Sequence, residues 1–149
     1  MIKKIFLSAV LLITLTINVP ATCQQKTPIE YTNVSAIELT NKPNAYLNKN
    51  VKITAVFNKF STLGLDYKPA MKSSKEYISF LVKRDDIVDH VVPLSELKIF
   101  IKRNKAEKLI DLESGNKIEI KGKVFSNALG DSWVEAYEVV NLEPKPKKP

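Results

Sequence analysis

The sequence predicts an all-β domain with one or two short helices, and three stretches carry that expectation. Lys117 to Phe125 alternates polar and apolar side chains at the two-residue period of a half-buried strand. After a turn at Asn127 to Asp131 comes Ser132 to Leu142, where Trp133, Val134, Ala136, Tyr137, Val139 and Val140 suit a pleated surface better than a helix. Far upstream, VKITAVFNKF at Val51 to Phe60 puts Val51, Ile53, Ala55 and Phe57 on one face and Val56 and Phe60 on the other. That pattern reads as a long strand partly covered on both sides.

A chain of 149 residues with 44% hydrophobic content is sized for a single core. Residues 1–22 read as a secretory signal peptide: Lys3 and Lys4 precede an apolar run from Ile5 to Ile17, shorter than the roughly 20 apolar residues a spanning helix needs. The expected location is therefore exported: periplasmic, envelope-associated or secreted. Val19, Pro20 and Ala21 allow ordinary cleavage after Ala21, which is the expectation. The alternative is lipid attachment at Cys23, although Pro20 and Thr22 replace the residues a lipoprotein signal uses. One cysteine makes no intramolecular disulfide, so an exported domain must rely on its apolar core.

Taken in order, residues 23–34 form an extended, polar lead-in containing Pro28. Ser35 can cap a short helix over Ala36 to Leu39, which breaks at Asn41, Pro43 and Asn44 before a turn at Asn48 to Asn50. The strand Val51 to Phe60 follows. Ser61 to Lys75 is a long loop, and Leu63, Leu65, Tyr67 and Met71 give it more apolar surface than a solvated linker needs. Glu76 to Arg84 is the second strand, with Ile78, Phe80 and Val82 inward and Tyr77, Ser79, Leu81 and Lys83 on the opposite face. Asp85 and Asp86 turn the chain into a short third strand at Val88 to Val92, which Pro93 ends. Ser95 can cap a helix in which Leu97, Phe100 and Ile101 recur at helical spacing, with Lys102, Arg103 and Lys105 near its negative end. Gly115 stops that helix, and residues 143–149 form a Pro/Lys-rich disordered tail.

Three strands, a helix and two further strands make the order of the five-stranded OB-fold Greek-key barrel. The chain resembles the small exported bacterial OB-fold proteins, akin to the tRNA-anticodon-binding-like OB group. The likeness rests on YLNKNVKITAVF at Tyr46 to Phe57, KIEIKGKVF at Lys117 to Phe125 and ALGDSWVEAYEVVNL at Ala128 to Leu142, within a domain spanning Ser35 to Leu142. The first strand departs from the pattern, having no internal glycine where many such barrels bend. The resemblance implies a ligand face on the second and third strands, between the first-to-second and fourth-to-fifth loops. That places Tyr77, Ser79, Leu81 and Lys83 at the site, flanked by Tyr67 and Met71 from one loop and Asn127, Asp131 and Trp133 from the other. Bases or sugars would stack on the aromatic rings, with lysines meeting phosphate or hydroxyl groups. Equally, Trp133 and Leu81 could be partly buried and Tyr77 could serve cross-strand packing.

Enzyme signatures are sparse. His90 is the only histidine, and Asp85, Asp86 and Asp89 lack the glycine and distal glutamate of a calcium loop. No catalytic residue, metal or cofactor is expected. The formal charge of +7 is concentrated at the ends. Without Lys3, Lys4, Lys26, Lys145, Lys147, Lys148 and Glu143, 17 basic residues of the total 23 face 15 acidic ones of the total 16. The expectation is a non-enzymatic binding module for an unidentified protein or small polymeric ligand. The alternative is a single-stranded nucleic-acid binder, with membrane contact only through Cys23 or the basic tail.

Overall fold

The computed structural model describes residues 28–88 and 97–144. The leader with Cys23, the residues Asp89 and His90, and the Pro/Lys tail from Lys145 lie outside them. The elements are β1 (Thr32–Val34), α1 (Ala36–Asn41), α2 (Pro43–Tyr46), β2 (Asn50–Ser61), β3 (Tyr77–Lys83), β4 (Leu97–Lys102), α3 (Arg103–Ala106), β5 (Lys117–Ser126) and β6 (Trp133–Asn141). β2 to β6 close into a five-stranded mixed barrel of OB-fold type, in the order β2-β3-β4-β6-β5 and back to β2. Within the barrel, the pairings are antiparallel except β4 with β6. β1, in the expected lead-in, adds to β2 in parallel.

Barrel closure requires β2 to serve two partners. Its first half, Asn50 to Val56, pairs with β5, and its second half, Val56 to Ser61, pairs with β3. The strand turns that corner without glycine. A bulge at Asn58, between Phe57 and Lys59, shifts the register instead, since an extra residue bends and twists a strand much as a glycine kink does. On β5, Gly122 sits at another bulge, where an added Cβ would lie 2.3 Å from the Glu135 carbonyl oxygen.

The interior is filled by alternating side chains such as Ile53, Phe57, Phe80, Ile99, Ile120 and Val134, all at most 2% exposed. Each contributes about 1.5–3 kcal/mol of transfer free energy against a net stability of order 5–15 kcal/mol, so truncating two or three unfolds the domain. α1 forms as expected: the Ser35 hydroxyl accepts the Glu38 amide at 3.1 Å, and Leu39 drops fully into the core. Ser132 Oγ donates to the Leu39 carbonyl at 2.6 Å, tying α1 to the start of β6.

The third strand and the helix differ from expectation. Leu97, Phe100 and Ile101 lie in strand β4, and the helix begins only at Arg103, continuing as a 3₁₀ turn over Glu107–Leu109. Val88 is a fully exposed bend, and the rest of the expected Val88 to Val92 strand, with the Ser95 cap, lies outside the described residues. The physical reason is double-sided burial. Leu97 to Ile101 are all buried, so the segment reads as a continuous apolar run in which helical and strand spacings coexist.

Candidate ligand-binding cleft

The site begins with the loop 62–76, which folds back across the outer face of the barrel. Ser79 Oγ lies 2.9 Å from the Ser61 carbonyl and 3.0 Å from that of Leu63, and Arg103 Nε donates to the Ser74 carbonyl at 2.9 Å. Within the loop, Ser74 N–H donates to Asp66 Oδ1 at 3.0 Å, and hydrogen bonding from the Ser74 side chain first, then from this amide, holds the Asp66 carboxyl below its ordinary pKa. Lys72 forms an ion pair with Glu135, its ammonium 4.8 Å from the ring centre of Tyr77 and 4.4 Å from that of Phe125. Tyr77 Oη donates to the other Glu135 oxygen at 2.8 Å. Burial pushes the Glu135 carboxyl up, but the hydrogen bonds from Lys72 and Tyr77 outweigh it and leave its pKa lowered.

Beneath the loop is a second small core of Ala70, Tyr77, Phe100 and Trp133. The Trp133 indole stacks on Phe100 (5.4 Å, 11°) and on Tyr67 (5.5 Å, 14°), and its N–H donates to the Ala128 carbonyl at 2.7 Å. Gly64 makes this fit: its φ is +81°, and a Cβ there would stand 2.7 Å from Trp133 Cζ3. Between this loop and the turn joining β5 to β6 lies a cleft of about 750 Å³. Leu63, Leu65 and Tyr67 line it from one side and Leu129 from the other, with Arg84, Lys98 and Asp131 also on its walls. Lys98, only 7% exposed, donates to Asp131 Oδ2 at 2.8 Å. Arg84 Nε donates to Asp86 Oδ1 at 2.9 Å.

Three of the residues expected at the site, Tyr67, Asp131 and Trp133, line this cleft, Trp133 from beneath at 3% exposure. Tyr77, Ser79 and Leu81 are buried, Tyr77 and Ser79 being engaged by the loop and by Glu135. Met71 is exposed away from the cleft lining, and Asn127 donates to Asn44. Lys83 borders a separate hollow of about 200 Å³ beside Ser35 and Asp85. Sequence reasoning missed Gly64, Leu129 and Lys98. The available signals were a glycine inside an apolar-rich loop, a leucine at a hairpin tip and a lone charge within an apolar run. Among the described residues no group of three His, Cys, Asp or Glu side chains stands ready to hold a metal.

A closed OB-type barrel with a cleft between its first-to-second and fourth-to-fifth strand loops defines the class. No family model matches the chain, and no curated protein does either. Among solved structures it is similar to a Leishmania major Friedlin protein assigned as an aspartyl-tRNA synthetase, with TM-score 0.52 and 8% identity over 85% of this chain and 24% of that one. It is also similar to the asparaginyl-tRNA synthetase of Pyrococcus horikoshii. The form with asparaginyl-adenylate gives TM-score 0.51 and 14% identity over 75% of this chain and 22% of that one. A second structure of that enzyme gives 0.51 and 15% over 78% and 24%. The chain thus spans less than a quarter of the length of these enzymes, and at such identities the likeness is one of fold.

Proposed function

We propose that this protein is a non-enzymatic OB-fold binding module of the cell envelope that takes a protein or small polymeric ligand into the cleft between loop 62–76 and the turn around Leu129. The observation that carries this reading is the cleft itself, a concavity of about 750 Å³ at the position where OB barrels bind. Its loop wall is built before any ligand arrives, clamped by Lys72 to Glu135 and by Tyr67 to Trp133. The lining charges serve structure: Lys98 holds Asp131, Arg84 holds Asp86, and Asp66 accepts a backbone amide. That use supports binding over catalysis.

A photo-crosslinking side chain at position 129, with one at the exposed Glu107 as control, tests the site in the producing cell. Adducts from position 129 that are absent from position 107 are expected. Equal adducts from both, or none from 129, would remove the cleft from consideration. Export is supported by Lys3, Lys4 and the Ile5 to Ile17 run. Mass spectrometry of the mature protein checks it: an intact Met1 overturns export with cleavage, and a lipid on Cys23 replaces soluble export with anchoring.

Binding of single-stranded nucleic acid is the second reading, favoured by the barrel shared with parts of two tRNA synthetases and by the half-exposed Tyr67. Set against it, loop 62–76 covers the strand face where bases would stack, and Trp133 already stacks with two rings of its own chain.

A further inference from the structure

Resting on the cleft assigned above, we propose that its occupant is an apolar side chain carried by a protein partner, and that Leu129 is the residue that holds the partner's chain across the cleft mouth. Leu129 is 78% exposed and has φ +62°, ψ +17° in the turn Ala128–Gly130. The left-handed region disfavours a leucine and suits glycine or asparagine, so a strained, protruding leucine at a cleft rim points to use rather than to folding.

The chemistry of the walls selects among ligands. Two acidic side chains, Asp66 and Asp131, balance two basic ones, Arg84 and Lys98, and each has a partner within the chain. A polyanion therefore gains little net attraction there. A sugar or base needs a bare ring face, whereas the indole of Trp133 is 3% exposed and stacked with Phe100 and Tyr67. Beside the half-exposed Tyr67, what the cleft offers is aliphatic: Leu63 and Leu65 on one wall and Leu129 at the facing rim. A small lipophile could fill the hollow but would leave uncovered most of Leu129, which lines the rim and is 78% exposed. A knob beside a hole is matched by a surface that supplies both in reverse, as a protein segment does when one side chain enters and its backbone crosses the knob.

The test titrates the isotope-labelled protein with short Gly/Ser/Asn peptides carrying a single Leu, Phe or Trp. Oligothymidylate, a cello-oligosaccharide and dodecanoate are the comparison probes. The expected result is saturable shifts of the Leu129 methyls and the Trp133 indole N–H with the apolar peptides. Leu129→Asn should raise or preserve the melting temperature, since asparagine accepts the left-handed region, while weakening peptide binding ~10-fold. The opposite signs separate loss of the knob from loss of the fold. Peptides that shift nothing, preferential binding of any comparison probe, or unchanged affinity in Leu129→Asn overturns the proposal. If position 129 still forms crosslinks in the cell, the cleft stands and only the ligand class falls.

Discussion

The ammonium of Lys72 and the carboxylate of Glu135, 63 positions apart in sequence, meet in an ion pair roofed by the rings of Tyr77 and Phe125. This contact fastens loop 62–76 to β6 and fixes one wall of the cleft. Glu135→Gln strands a largely desolvated ammonium. The expected loss is about 2 kcal/mol, below the full penalty for a buried pair, because the two side chains retain 15% and 17% exposure. Urea unfolding at neutral pH checks the size. The pH dependence follows from the lowered Glu135 pKa. Its contribution is complete above the ordinary carboxylate value of about 4.3 and fades as pH falls through the lower folded value. The variant should therefore lose less stability than the parent on acidification below about pH 4.

Tyr77 should ionise late. Burial first, and then its hydrogen bond to Glu135, push its pKa up to about 12. The neutral phenol is the favoured form in the fold, so its contribution is intact below about pH 10 and is lost as pH rises toward 12. Absorbance titration of phenolate, compared between parent and Tyr77→Phe, should show the variant lacking a late component. An unchanged high-pH limb would mean that Tyr77 is open to water.

Two glycines should resist alanine for different reasons. Gly64→Ala combines a φ of +81° with a Cβ 2.7 Å from the Trp133 ring, for an expected cost of about 2 kcal/mol. Gly122→Ala meets backbone, the Glu135 carbonyl oxygen at 2.3 Å, which cannot rotate aside, and should cost about 3 kcal/mol. Denaturant midpoints measure both. The Gly64 variant should also raise tryptophan exposure, read as a red-shifted emission, while a neutral result would refute the tight fit over Trp133.

Oligonucleotide binding should be weak and dependent on the tail. Affinity for a polyanion comes from lysine contacts with phosphate, and the span from Glu30 to Val140 carries 17 basic against 15 acidic residues. Fluorescence anisotropy with a labelled single strand should show binding to the tail-bearing protein that disappears in a chain ending at Leu142, which lacks Lys145, Lys147 and Lys148. Micromolar binding by the shortened chain at physiological salt, lost on Tyr67→Ala, would instead establish the nucleic-acid reading.

Local pattern alone determined most of the barrel. Alternation in Val51 to Phe60 and Lys117 to Phe125, the Ser35 cap and the turn before Trp133 each encode a local preference whose period or hydrogen bond survives in the fold. Tertiary structure decided the rest, because burial on a second face erases periodicity. Leu97 to Ile101 became a strand when both of its faces were covered, and Tyr77 and Ser79 left the candidate surface when a loop of their own chain closed over it. The cleft was illegible for the same reason. Leu63, Leu65 and Leu129 lie more than sixty positions apart across the two loops, and only closure of the barrel, with β6 laid beside β4, brings those loops to one rim.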